Sequence, residues 1–502
     1  MRGLVPSISP HLRYRLGFRL PKPLIVDFAA QPLERYRGIL DDKYARIREV
    51  ADFAREFFAG RTLWQINSTA LGGGVAEMLR AFLPYAVDSG VDTRWVVVNG
   101  TPDFFTVTKR IHNKLHGHPG DGGFLGSGER TAYEAVMEES VQDLLDQVRP
   151  NDVVFLHDPQ TAGLIEPLNE AGAITLWRCH IGIDEGNEHV AEAIDFLIPF
   201  VEPAHGYVFS RAAYCWPDLA EERVHLMAPA IDAFSPKNQE LAPEVVDDIL
   251  ATIGLTGGQR PSPPPYVRSD GSEGRVEREA EILQVDPLPP DAFLITQISR
   301  WDVLKDFEGI LEAFIRYLGD TDAHLCLVGP ASGAVSDDPE GPAVHSRITA
   351  TWEALPDELR SRVHIVNLPM DDFDENGVMV NAIQRRSNVI VQKSLVEGFG
   401  LTVSEAMWKA KPVVASAVGG IQDQIVDGES GILIEDPADL EEFAVAVRRL
   451  VEDHDLAERL GQGARARVTE RFLAAPRIAE YVNVIGQVQA SRDLRLAAGG
   501  LP

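Results

Sequence analysis

The feature that most constrains this chain is an alternation. Short β-branched or aromatic runs recur between longer stretches of helical length. Strands are expected at Leu63–Asn67, Trp95–Asn99, Val153–His157, Ile174–Cys179 and Gly206–Phe209. A second series follows at Phe293–Ser299, His324–Val328, Val363–Asn367, Val389–Gln392, Val413–Ala415 and Gly431–Ile434. Helix-length segments such as Val75–Val87, Ala132–Gln147, Phe307–Tyr317 and Ser404–Lys409 lie between them. Strands separated by helices make parallel sheets covered on both faces, the doubly wound α/β class. Ligands of such sheets bind beyond the carboxyl ends of the strands, so functional residues are sought there.

Composition shifts most sharply at Thr256–Pro290, which holds seven Pro and four Gly in 35 residues. A stretch this rich in helix and strand breakers reads as a linker or insertion. The expected organisation is therefore a basic tail at 1–25, a domain at 26–255, the linker at 256–290 and a second domain at 291–470. A closing helix and tail at 471–502 would pack back on the first domain. The two sheets are expected to face one another across a cleft. The net charge of −29 argues against nucleic-acid or anionic-membrane partners, which need a basic footprint. Cys179, Cys215 and Cys326 are too few and too scattered for a disulfide framework or a structural zinc site, which points to a reducing cytoplasm. No apolar run approaches a membrane span. The first 25 residues carry five bases and no acid, but no apolar segment of a secretory signal follows.

In the first half, the strand ending at Asn67 runs into Gly72-Gly73-Gly74 and a helix start. Glycines let a ligand approach the backbone, and the first amides of a helix are ready donors to phosphate. The spacing departs from the dinucleotide fingerprint, because Glu77 stands where the third glycine belongs. The next strand ends in Asn99-Gly100 without a ribose-binding acid, which disfavours a nicotinamide dehydrogenase. His157 and His180 each follow a strand, at a spacing that does not suit a metal.

In the second half, Arg300 and Lys305 follow a strand and could clamp a diphosphate, one as a planar fork and one as a point charge. Glu397, beside Gly398-Phe399-Gly400, could accept hydrogen bonds from sugar hydroxyls while the flanking amides donate. Thr402-Val-Ser-Glu405 has the form of a capping box for the helix that follows.

Together, Arg300, Lys305, and the pair Glu397 and Glu405 around Gly-Phe-Gly resemble the donor site of retaining GT-B glycosyltransferases of group 1. More closely, the chain resembles the trehalose glycosyltransferring synthases from about Leu33 to Val482. The strings that carry this are Asn67-Ser-Thr, Gly72-Gly-Gly-Val-Ala-Glu-Met-Leu79, Phe104-Phe-Thr-Val-Thr-Lys109 and His157-Asp-Pro-Gln160. The second half adds Asp337-Asp-Pro-Glu-Gly341, Asn381-Ala-Ile-Gln-Arg-Arg386, Gln392-Lys-Ser394 and Glu397 through Trp408. The resemblance implies two Rossmann-like domains and transfer of glucose from an NDP-glucose to free glucose, giving α,α-trehalose. In that reading Arg300 and Lys305 neutralise the diphosphate, and amides of Gly72, Gly73 and Gly74 meet the distal phosphate. Glu405 holds the ribose. Glu397, Gly398, Phe399, Gly400 and Leu401 line the donor sugar, and His180 bonds to it. His157, Asp158, Asn99 and Lys109 lie towards the acceptor.

No cofactor is expected to be tightly bound and no metal is held by the protein; Mg²⁺ could enter on the nucleotide diphosphate. A homodimer is compatible with the resemblance. The family reads Cys-His-Ile-Asp where this chain has Cys179-His-Ile-Gly182. Trehalose phosphorolysis and hexosyl transfer to another acceptor stay open on the same fold, as does a non-catalytic sugar-nucleotide-binding regulator.

Overall fold

A computed structural model describes residues 22–70, 73–258, 262–331 and 341–497. The expected basic tail to residue 21, Gly72 and the acidic string at 337–340 lie outside the described residues. The chain divides into two compact units, one running to Ala228 and resuming at Pro476, the other spanning Pro229–Ala475.

The first unit is built on seven described strands: β1 (Leu24–Val26), β2 (Thr62–Asn67), β3 (Asp92–Val97), β4 (Val153–His157), β5 (Ile174–Cys179), β6 (Gly206–Phe209) and β7 (Val224–Leu226). Their spatial order is β1-β3-β2-β4-β5-β6-β7, with only β1 antiparallel to its neighbour. The chain passes from β2 outward to β3 and then returns to β4 on the other side of β2, so the order reverses between β2 and β4. Every residue of β4, β5 and β6 is buried, as continuous apolar strands covered on both faces must be. The last helix, Arg477–Ala497, belongs to this unit. Its Tyr481 ring stacks on Phe82 with centroids 4.1 Å apart and also meets Phe155.

The second unit carries β10 (Glu281–Leu283), β11 (Leu294–Ile298), β12 (His324–Pro330), β13 (Val363–Leu368), β14 (Val389–Gln392), β15 (Val413–Ser416) and β16 (Ile432–Ile434). Their order is β10-β13-β12-β11-β14-β15-β16, all parallel except β10 against β13. Here the order reverses between β11 and β14, and the loops after these two strands flank the switch point at which doubly wound sheets bind ligands.

The Pro-rich stretch is not a linker between the units. It lies inside the second one, where Pro265–Val267 (β8) pairs with Glu273–Arg275 (β9) as a hairpin. Tyr266 and Val276 are buried in the apolar cluster under β11 to β13. Gln239 bonds both ways to Val267, and Glu375 accepts the amides of Glu277 and Arg278 at 2.7 and 2.8 Å. These few buried anchors outweigh the stretch's poor propensity. The boundary therefore falls at Ala228, and the helix Pro243–Thr252 belongs to the second unit rather than the first.

Candidate active site

At the carboxyl end of the first sheet, parallel pairing sets His157 of β4 beside Arg178 of β5. His157 Nδ1 lies 3.0 Å from His180 Nε2, the rings inclined by 17° with centroids 5.3 Å apart. His157 Nε2 lies 2.7 Å from Gln65 Oε1 of β2. Asp158 has φ 60°, which turns its carboxylate back so that Oδ1 accepts the His180 amide at 2.8 Å, while Trp177 Nε1 donates to its carbonyl at 3.1 Å. Arg178 is buried and donates to the Tyr481 hydroxyl at 2.6 Å and to Met227 O at 3.1 Å. Burial, and secondly the Arg178 charge, hold both imidazoles well below their usual range, so they are neutral at pH 7. Burial also pushes the Asp158 carboxyl up to about 7, against the bond from His180 and the charge of Arg178.

The structure thus joins His157, Asp158 and His180. It bonds neither Asn99 nor Lys109 to them: Asn99 Nδ2 donates to Lys22 O at 2.7 Å, and Lys109 is exposed two turns into the helix Pro102–Leu115. Gly73 has φ 81° and is the N-cap of the helix Gly74–Asp88, to which as a glycine it lends no side-chain cap. Among the described residues a Cβ at Gly73 would meet nothing within 4 Å, so this helix start has an open face of the kind that suits an anion.

In the second unit, the loops after β11 and β14 meet. Lys305 Nζ donates to Glu397 Oε2 at 2.6 Å, and Ser394 Oγ donates to the same oxygen at 3.2 Å. Both charged side chains are mostly buried, while Arg300, 3.6 Å from Asp302, is half exposed. The Lys305 turn is pinned from below: Lys393, wholly buried, pairs with Asp306 and donates to Pro437 O at 2.5 Å, and Asp306 at φ 50° caps the next helix. Gly398, Phe399 and Gly400 are held through their carbonyls. Gly420 N donates to Gly398 O, and Gln424 Nε2 donates to Phe399 O and Gly400 O. Gly400 sits at φ 82°, and a Cβ there would stand 3.2 Å from Glu397 Cγ, so a glycine keeps Glu397 in place.

The expected capping box does not form. The helix runs Leu401–Trp408 with Gly400 as its N-cap and no side-chain cap, because the left-handed glycine starts it two residues before the Thr402 cap. Glu405 is buried, with Oε1 3.8 Å from Lys237 Nζ, and its carbonyl accepts from Lys409 Nζ at 3.0 Å. Gly182 packs on Tyr214, whose Cγ would stand 2.4 Å from an added Cβ, so an aspartate does not fit there as packed. The nearby Asp184 pairs with Arg211 at 2.5 Å.

Gln65 and Lys237 were not singled out from the sequence, and Lys393 and Ser394 entered only within the Gln392-Lys-Ser394 string, without a role. A signal existed for Gln65: a lone amide in the middle of Leu-Trp-Gln-Ile, a strand buried on both faces, needs a partner. Among the described residues no group of three or more His, Cys, Asp or Glu stands close enough to hold a metal, and no helix is long and apolar enough to cross a membrane.

Residues 65–216 match the family described as trehalose synthase, N-terminal domain, and residues 279–467 match glycosyl transferases group 1. A trehalose synthase of Thermococcus litoralis is 34% identical over 454 residues, covering 90% of this chain and 96% of that protein. A trehalose phosphorylase of Pleurotus pulmonarius is 27% identical over 80% of this chain, which spans only 54% of that protein's length. Among solved structures, α,α-trehalose 6-phosphate synthase from Burkholderia multivorans aligns with TM-score 0.60 at 14% identity, over 86% of this chain and all of that one. Anabaena HepE in complex with UDP and glucose aligns with TM-score 0.55 at 15% identity, over 84% and 99% of the two chains. These neighbours have the GT-B architecture of two parallel-sheet α/β domains found here. With that fold, the two matched family descriptions and a relative 34% identical across 90% of this chain, the chain belongs to the trehalose synthase family of group 1 glycosyltransferases.

Proposed function

We propose that the protein transfers glucose from an NDP-glucose to free glucose, with retention, to give α,α-trehalose. The observation that carries this reading is the 2.6 Å contact between Lys305 and Glu397. A glycosyl phosphate places its hydroxyls next to its phosphate, and a site for it needs a cation and a hydroxyl-accepting carboxylate side by side at one strand end. Arg300 supplies the second cation from the same loop. Glu405, buried beside Lys237, is the carboxylate we assign to the ribose hydroxyls. A magnesium ion, where one takes part, would enter as part of the nucleotide substrate.

The first sheet's end favours a neutral acceptor. Its Arg211 is already paired with Asp184, and Arg178 is spent on Tyr481 and Met227, which suits a free sugar better than a sugar phosphate. Among the described residues no carboxylate there is placed as an obvious covalent nucleophile; Asp158 is turned back onto the His180 amide. Retention then follows from front-face attack, the departing phosphate taking the acceptor's proton while the enzyme orients and stabilises charge.

The test is a donor-by-acceptor matrix with product identification: ADP-, UDP- and GDP-glucose against glucose, glucose 6-phosphate and other acceptors. Trehalose formed from free glucose is expected, as is the reverse reaction with NDP. Turnover of trehalose with inorganic phosphate alone would mean a phosphorylase. Donor binding without transfer to any acceptor would mean a regulator. Glu397→Gln should lower transfer by at least about 100-fold with an unchanged circular dichroism spectrum; full activity would move the chemistry elsewhere.

A further inference from the structure

Gln65, His157 and His180 form a chain whose hydrogen positions follow from its ends. The carboxamide oxygen of Gln65 faces His157 Nε2 at 2.7 Å, and an oxygen accepts, so that nitrogen carries the proton. A neutral imidazole has one N–H, so His157 Nδ1 is bare. It lies 3.0 Å from His180 Nε2, which must then be the donor. His180, neutral in its turn, is left with a bare Nδ1. Its backbone is fixed independently, by its amide's bond to Asp158 Oδ1 and by the Asp158 turn.

We propose that Gln65 is a positioning residue that sets the tautomer of His180 through His157, so that His180 offers a sugar bound at this sheet's end a hydrogen-bond acceptor at Nδ1. The proposal rests on the functional reading above for the identity of the sugar, but the tautomer assignment does not. Two further observations support it. Burial suppresses protonation of both rings, which removes the charged state in which each would donate from both nitrogens. Gln65 Nε2 is buried and has no hydrogen-bond partner among the described residues. An amide kept for packing alone would bond at both ends or be replaced by an apolar side chain, since an unpaired buried N–H is costly. This one bonds at the end that reaches the histidines.

The sugar hydroxyl bound by His180 must then donate, and a group at that position that can only accept is rejected. A donor such as an amine or hydroxyl is accepted.

The test is long-range ¹H–¹⁵N correlation on the full-length, ¹⁵N-histidine-labelled protein without ligand at pH 7. The two signals are assigned from spectra of His157→Gln and His180→Gln. Protonated Nε2 and bare Nδ1 on both rings are expected in the wild type. Protonated Nδ1 on His180 would overturn the proposal at once, without any variant. Gln65→Met, unbranched and of similar length, should leave His180 a mixture of tautomers and lower kcat/KM for the donor by about tenfold, the worth of one hydrogen bond. An unchanged His180 spectrum in that variant would also overturn it. Tautomers as expected in a protein that transfers no sugar would sink the functional reading and leave the assignment standing; the converse result would do the reverse.

Discussion

Among single residues, Asp158 makes the sharpest prediction. Its carboxyl keeps its proton to about pH 7 in the folded chain, against about 4 in a free aspartate. Between those values the folded state binds more protons than the unfolded one, so the group's contribution to stability is present below about pH 4 and lost as pH rises to about 7. The two neutral histidines act in the opposite sense below about 6.5, so the effect is read as a difference between proteins. Asp158→Asn should match the wild type near pH 4 and exceed it by a few kcal/mol at pH 8, measured by denaturant unfolding; a gap that does not change with pH would refute the assignment. Lys393→Met should cost about 3–5 kcal/mol, because it leaves the Asp306 carboxylate recessed without its cation. A smaller loss in urea titration would show Asp306 to be solvated. Lys305 and Glu397 are legible in the sequence because each sits in a short polar segment directly after a strand. Gln65 is not, because its partners lie on other strands, about 90 residues further along, and nothing local announces the pairing.

Elements followed the same logic. All eleven strands expected from β-branched runs are present, four of them with the same limits: Val153–His157, Ile174–Cys179, Gly206–Phe209 and Val389–Gln392. Central parallel strands need continuous apolar runs, and that requirement is written in the chain itself. The strands missed are the sheet-edge strands and the hairpin: Leu24–Val26, Val224–Leu226, Glu281–Leu283, Pro265–Val267 and Glu273–Arg275. Each is three residues long with exposed or half-buried positions, so pairing with a neighbour, rather than composition, defines it. The closing helix offers an element-scale test. Tyr481 fills the space between Phe82 and Phe155 and takes a bond from Arg178, so Tyr481→Ala should destabilise the first unit by about 3–5 kcal/mol. Calorimetry should show the loss in the transition of that unit; an unaltered profile would mean the helix is dispensable.

For the whole molecule, the charge of −29 sits oddly with the anionic substrate we propose only while it is imagined as uniform. The candidate site brings Arg300 and Lys305 to one loop, with Lys237 beside Glu405, so locally it departs from the average. The remaining acidic excess repels itself. Adding monovalent salt from about 10 mM to 0.5 M should screen that repulsion and raise the melting temperature by a few degrees. Scanning fluorimetry across a salt series checks this, and a falling temperature would show that attractive ion pairs dominate instead.

The return of Arg477–Ala497 to the first unit has a consequence for how the protein is made. A ribosome adding about 5–20 residues per second releases β1 to β7 well before the helix that completes their core. The sheet must wait, with Phe82 and Phe155 uncovered, while all of Pro229–Ala475 is synthesised, an interval of tens of seconds. The second unit, uninterrupted in sequence, can fold during that time; the first cannot finish until Arg477–Ala497 has been made. Premature termination before Arg477–Ala497 is made therefore leaves a well-formed second unit attached to an unsealed first one, a species for chaperones or proteases rather than a smaller enzyme.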